Sequence, residues 1–149
     1  MLLELALSLP EETARAYLEV LRWPNGIDCP RFPYSNHKII ALQGKSTRPG
    51  VYYCRTCRQN GISPQFTVTI GTIFEDSHIP LRKWLGAFAM MCHTEKGVSA
   101  NQLHQVLGIS YKSAWFMAHR IRYAFLEKEY TKRNIKLRFG KRLLYKELL

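Results

Sequence analysis

The chain has 149 residues, 46% of them hydrophobic, enough for one domain or two small ones. Twenty-two Lys and Arg against eleven Asp and Glu leave a formal charge of +11 and a pI near 9.8, which suits a polyanionic partner better than a basic one. No apolar run reaches membrane-spanning length, and the opening MLLELALSLP carries Glu4 and lacks the basic start of a signal peptide. These features predict a cytoplasmic protein with no membrane partner, whose four cysteines stay reduced and open to a metal.

The charge is unevenly spread. Residues 1–21 sum to −3, residues 22–127 to +8 and residues 128–149 to +6. An acidic first segment therefore precedes a basic body and a more basic tail. The spacing of Ala14, Tyr17, Leu18 and Leu21 predicts a helix from Pro10 to Leu21, with Ser8 and Glu11 at capping-box spacing. Trp23-Pro24-Asn25-Gly26 ends it, because proline disfavours helix at the residue before it and Asn-Gly turns the chain.

From Gly26 to Thr69 the pattern becomes short β segments. Lys38–Leu42, Val51–Cys54 and Gln65–Thr69 are the strand candidates, separated by Gly, Pro, Ser and Asn. So small a sheet needs a metal or a neighbouring helix to hold it. Cys29 and the pair Cys54-Arg55-Thr56-Cys57 fall in this stretch. A zinc ribbon presents two CxxC turns; here the second is intact, while Phe32 stands where the first needs its second thiolate. His37 is the nearest candidate for a fourth ligand beside Cys29, Cys54 and Cys57, with water as the fallback. The alternative is a ribbon without metal, in which Phe32 packs where the ion would sit.

Leu81, Trp84, Leu85, Phe88, Met91 and Cys92 recur at helical spacing, predicting a helix from about Pro80 to Cys92. Ser77 or Asp76 is placed to cap it, and Cys92 falls on its apolar stripe as a core thiol. Ser99 to Arg122 then reads as two helices separated by Gly108-Ile109-Ser110. Leu103 and Leu107 share a face of the first; Ala114, Met117, Ala118 and Ile121 share a face of the second. Glycine suits the first helix's end and Ser110 the next one's start. This is the grammar of a helix-turn-helix, whose second helix enters a DNA major groove. On that helix Lys112, Arg120 and Arg122 suit phosphate, while Tyr111, Ser113, Phe116 and His119 suit base edges or thymine methyls. Trp115 is expected to pack under the preceding helix. The expected fold class is α+β: an N-terminal helix over residues 1–24, a zinc-ribbon-like β module over 25–72, a three-helix helix-turn-helix bundle over 73–127 and a basic tail over 128–149.

The blocks RAYLEVLRWPNGIDCP, YYCRTCR, FTVTIGTIFEDSHIPLRKWL and SANQLHQVLGISYKSAWFMAHRIR together resemble the amino-terminal part of IS1595-family (ISXO2-like) transposases, over roughly Glu11 to Arg122. The resemblance implies a zinc ribbon, a helical region that recognises the terminal inverted repeats as double-stranded DNA, and then a DDE-type RNase-H-like catalytic domain. Phe32 departs from the family's first knuckle, and Asn60–Pro64 lengthens the interval after Cys57. The only aspartates are Asp28 and Asp76, and beyond Arg122 the acids are Glu127, Glu129 and Glu147. A DDE triad and its catalytic Mg2+ are therefore not expected on this chain. It reads as a truncated transposase that binds DNA and is not itself an enzyme. The alternatives are one piece of a split or frameshifted active transposase, or a fragment that docks on the full-length transposase and inhibits it.

Overall fold

A computed structural model describes residues 2–32, 38–94 and 97–126. The opening forms two helices rather than one: α1 (Leu2–Ser8) and α2 (Glu11–Arg22), broken at Leu9-Pro10. The expected capping box at Ser8 does not form. The Ser8 hydroxyl donates instead to the carbonyl of Leu5, and α2 begins after Pro10, which has no side-chain cap. Proline's fixed φ is compatible with the start of a helix, and its missing N–H costs nothing there.

Three short strands follow, β1 (Ile39–Ala41), β2 (Tyr52–Cys54) and β3 (Gln65–Phe66), in an antiparallel sheet of order β1-β2-β3. Ile39 pairs with Cys54, and Tyr52 with Phe66. Between β2 and β3 the chain makes a single short helix, α3 (Arg55–Gln59). Each strand lies within one of the expected segments but is shorter. The architecture is thus mixed: helices plus one small antiparallel sheet.

Three helices complete the described chain: α4 (Leu81–His93), α5 (Ala100–Leu107) and α6 (Tyr111–Leu126). α4 is the centre of the larger core. Trp84, Ala87 and Phe88 are fully enclosed by α1, α2, α5, α6 and the Ile73-Phe74 segment. Phe74 meets Trp84 and Phe88 edge to face, with centroids 5.3 and 6.1 Å away. Gly86 lets α1 and α5 approach this helix. A Cβ there would lie 3.0 Å from Leu7 Cδ2 and 3.1 Å from Leu107 Cδ2.

The second core is smaller and built of Cys29, Tyr52, Cys54, Cys57 and Phe66. Trp23 borders both cores, standing edge-on to Tyr52 and Phe66. Trp23, just past the end of α2, is therefore a wall that the two cores share. No helix among the described residues is long and apolar enough to cross a membrane.

Candidate functional site

Cys54 ends β2 and caps the first turn of α3, which carries Cys57. That turn aims the N–H groups of Thr56 and Cys57 at the Cys54 sulfur. Cys29 arrives from the loop after α2, its N–H held by the Asp28 carboxylate at 2.8 Å. The Cys29 and Cys57 sulfurs are 3.5 Å apart, and all three lie within 4.8 Å of one another. Around a zinc ion at 2.3 Å, tetrahedral sulfurs sit about 3.8 Å apart, so the triad has the dimensions of a metal site.

The electrostatics agree with that geometry. Each cysteine is 1% exposed or less. Burial pushes the Cys54 thiol up, but the N–H of Cys57, the Cys57 and Cys29 thiols and the N–H of Thr56 outweigh it, and the net shift is downward. Cys57 is pushed up to about 12, first by burial and then by its two sulfur neighbours. One thiolate is favoured and the next opposed, because like charges crowd in a dry pocket. A divalent cation removes that opposition, so the three cysteines can hold a metal ion.

Phe32 is half-buried against this cluster, and Arg31 pins the same loop by donating to the carbonyls of Ser63 and Gln65 at 3.0 and 3.2 Å. His37, the sequence candidate for a fourth ligand, lies outside the described residues. Cys92 departs from expectation. It is exposed on the last turn of α4 and is not among the residues of the core, although Met90 and Met91 before it pack against that core.

α5 opens with a reciprocal capping box. The Ser99 hydroxyl accepts from Gln102 N–H at 3.2 Å, and the Gln102 side chain accepts from Ser99 N–H at 2.9 Å. Gly108 ends it in the left-handed conformation, φ +59°, its N–H returning to the His104 carbonyl. The His104 ring nitrogen Nδ1 bonds the Ile109 carbonyl, and Lys83 Nζ donates to the Gly108 carbonyl at 3.1 Å. Ser110 accepts from the Ser113 N–H at 3.1 Å and starts α6. Four hydrogen bonds therefore define a three-residue turn. Leu103, Leu107, Ala114, Met117, Ala118 and Ile121 are all buried, as their spacing requires.

The residues expected to touch DNA divide into two groups. Tyr111, Lys112, Phe116 and His119 are exposed on the outer face of α6, and Ser113 is half-buried at its first turn. Arg120 turns inward: Nη1 donates to the carbonyls of Ile73 and Glu75 at 2.7 and 2.6 Å, with the guanidinium 4.3 Å from the Phe116 ring centroid. Arg122 is likewise drawn to the Val98 carbonyl at 2.7 Å. Trp115, expected to be packed, is 50% exposed and tilted against the His119 ring at 4.1 Å. Helical phase puts Trp115 in one row with the exposed Tyr111 and His119, away from the buried Ala114, Met117 and Ala118.

Two functional supports escaped the sequence reading. Arg22 is half-buried beside Trp23, which borders both cores; it donates to the Val68 carbonyl, with its guanidinium 5.1 Å from the Trp23 ring centroid. Burial lowers it to about 10, against the attraction of Glu75 and Cys29. Glu11 supplies both its oxygens to the start of α4. No local spacing announces either partner.

No family model and no solved structure matches the chain. It is similar to a Halobacterium salinarum protein described as an uncharacterized protein in transposable element ISH50, 27% identical over 116 residues. The aligned region covers 74% of this chain and 34% of that protein, so the chain spans about a third of its curated relative. The likeness is distant and associates the chain with an insertion-sequence element.

Proposed function

We propose that this chain is a DNA-binding part of an insertion-sequence transposase of the IS1595 type, in which α5, the 108–110 turn and α6 act as a helix-turn-helix on the element's terminal repeats. The observation that carries the reading is the turn: two caps, a left-handed glycine and side-chain locks from His104 and Lys83 hold α6 outward. Charge supports it, since residues 96–126 contain no Asp or Glu. The role is binding rather than strand transfer, and the full-length transposase is a further partner.

The β module acts as a modified zinc ribbon. Zn2+ held by Cys29, Cys54 and Cys57, with a fourth donor from His37 or water, staples a sheet too small to stand alone. Its role is structural.

The test is binding of a terminal-repeat duplex to the purified chain between about 50 and 200 mM salt. Affinity falls steeply with salt, because each neutralised phosphate releases counterions. Salt-insensitive binding, or none, overturns the reading. A second reading rests on the acidic opening helices, where Leu5 on α1 and Val20 on α2 are exposed and Glu4, Glu11, Glu12 and Glu19 outnumber Arg15. Such a surface docks a protein, and co-expression would then suppress transposition without DNA binding by this chain.

A further inference from the structure

The outer face of α6 is not the cationic surface that its sequence suggests. Of its three permanent cations, Arg120 and Arg122 are committed to backbone carbonyls of Ile73, Glu75 and Val98. Lys112 alone is exposed without such a bond among the described residues. What the face offers instead is rings. Tyr111, Trp115, Phe116 and Tyr123 are 55, 50, 45 and 56% exposed, and the His119 ring lies tilted against Trp115.

Arginine is the usual reader of guanine, through paired bonds to O6 and N7. The two arginines of α6 that would do this are already bound to backbone carbonyls, which leaves Lys112 alone for phosphate or guanine. Aromatic rings cannot make those bonds, but they pack against the one apolar feature of the major groove, the C5-methyl of thymine. The stretch 96–126 carries no Asp or Glu, which favours a polyanionic partner over a cationic one.

Resting on the DNA-binding reading of α6, we infer that Trp115 and Phe116, flanked by Tyr111, read thymine methyl groups, so that the chain prefers T·A steps and discriminates little for guanine. Phe116 is held for this task, since the Arg120 guanidinium that lies against its ring is itself fixed by two carbonyls.

The test uses the full chain and random-sequence duplexes, enriched by repeated selection. The selected duplex is then resynthesised with deoxyuridine for thymine, which deletes the methyl and keeps every hydrogen-bonding group. Binding weakens about fourfold for each contacted thymine, the worth of one buried methyl. Trp115→Ala and Phe116→Ala bind both duplexes alike, losing the preference while keeping the salt dependence. Should Phe116→Ala unfold by circular dichroism, Trp115→Ala and Tyr111→Ala carry the same comparison. A guanine-rich selected site, or equal binding of thymine and deoxyuridine duplexes, overturns the inference and leaves the DNA-binding reading intact. No duplex binding, or tighter binding to the single strand, overturns both.

Discussion

The Glu11 carboxylate caps a helix it does not belong to: its oxygens accept the N–H groups of Leu81 and Arg82, at 2.6 and 3.3 Å, where α4 begins. Two donors left open by Pro80 are satisfied across 70 residues of sequence, and a negative charge sits at the positive end of the helix. Glu11→Ala should destabilise the protein by about 1–2 kcal/mol, the range of a lost charged cap. Glu11→Gln, with one acceptor oxygen, should fall between. Urea unfolding measures both, and an unchanged midpoint in Glu11→Ala would count against the cap.

Gly86 is tested by the smallest addition. Gly86→Ala gains about 1 kcal/mol of helix propensity but drives a methyl into Leu7 and Leu107. Overpacking of this kind costs about 1–3 kcal/mol, so the net change should be destabilising. Adding Leu7→Ala should be less than additive, because it vacates the contact.

Lys112 and Arg120 lie on one helix and should behave as opposites. Lys112→Ala leaves thermal stability unchanged and lowers the salt slope of DNA binding by about 1, the signature of one lost phosphate contact. Arg120→Ala leaves the Ile73 and Glu75 carbonyls without that donor and should cost about 1–3 kcal/mol of stability. An Arg120→Ala protein of full stability and reduced salt slope would return Arg120 to the DNA.

Metal binding has its own discriminating variants. Cys54→Ser or Cys29→Ser should abolish zinc uptake, and a chelator should loosen the sheet before the helical bundle, since the sulfurs belong to the smaller core. Phe32→Cys supplies a fourth thiolate and should tighten binding. If His37 is the fourth donor, His37→Ala lowers affinity in the wild-type background and not in Phe32→Cys. Metal analysis after competition with a colorimetric chelator reads each case.

Tyr52 sets an alkaline limit. Burial, then its hydrogen bond to the Glu19 carboxylate, raises its phenol from the ordinary 10 to about 12. The folded state thus holds a proton that the unfolded chain releases earlier. Its contribution is fully present below pH 10 and is lost as pH rises toward 12. Stability measured across that window should fall less steeply in Tyr52→Phe than in the parent.

Local order was legible from local pattern. The apolar spacing of Leu103, Leu107, Ala114, Met117 and Ile121 named the buried faces of α5 and α6, because a helix that must bury one stripe writes its period into the chain. Gly108 and Ser110 marked the turn between them, since left-handed backbone and capping each need particular residues. The three cysteines likewise announced a shared chemistry before their sulfurs were seen within 4.8 Å.

Tertiary structure decided which charges were available and which rings were inside. By spacing Arg120 suits phosphate and Glu11 a capping box with Ser8, yet each answers backbone groups 45 or more residues away. Trp115 and Cys92 look like core, but Trp115 shares the exposed row of Tyr111 and His119, and Cys92 is exposed on the last turn of α4. Periodicity states how much a face wants to be buried. What lies opposite it, and which carbonyls the loops leave open, is set only when the elements meet.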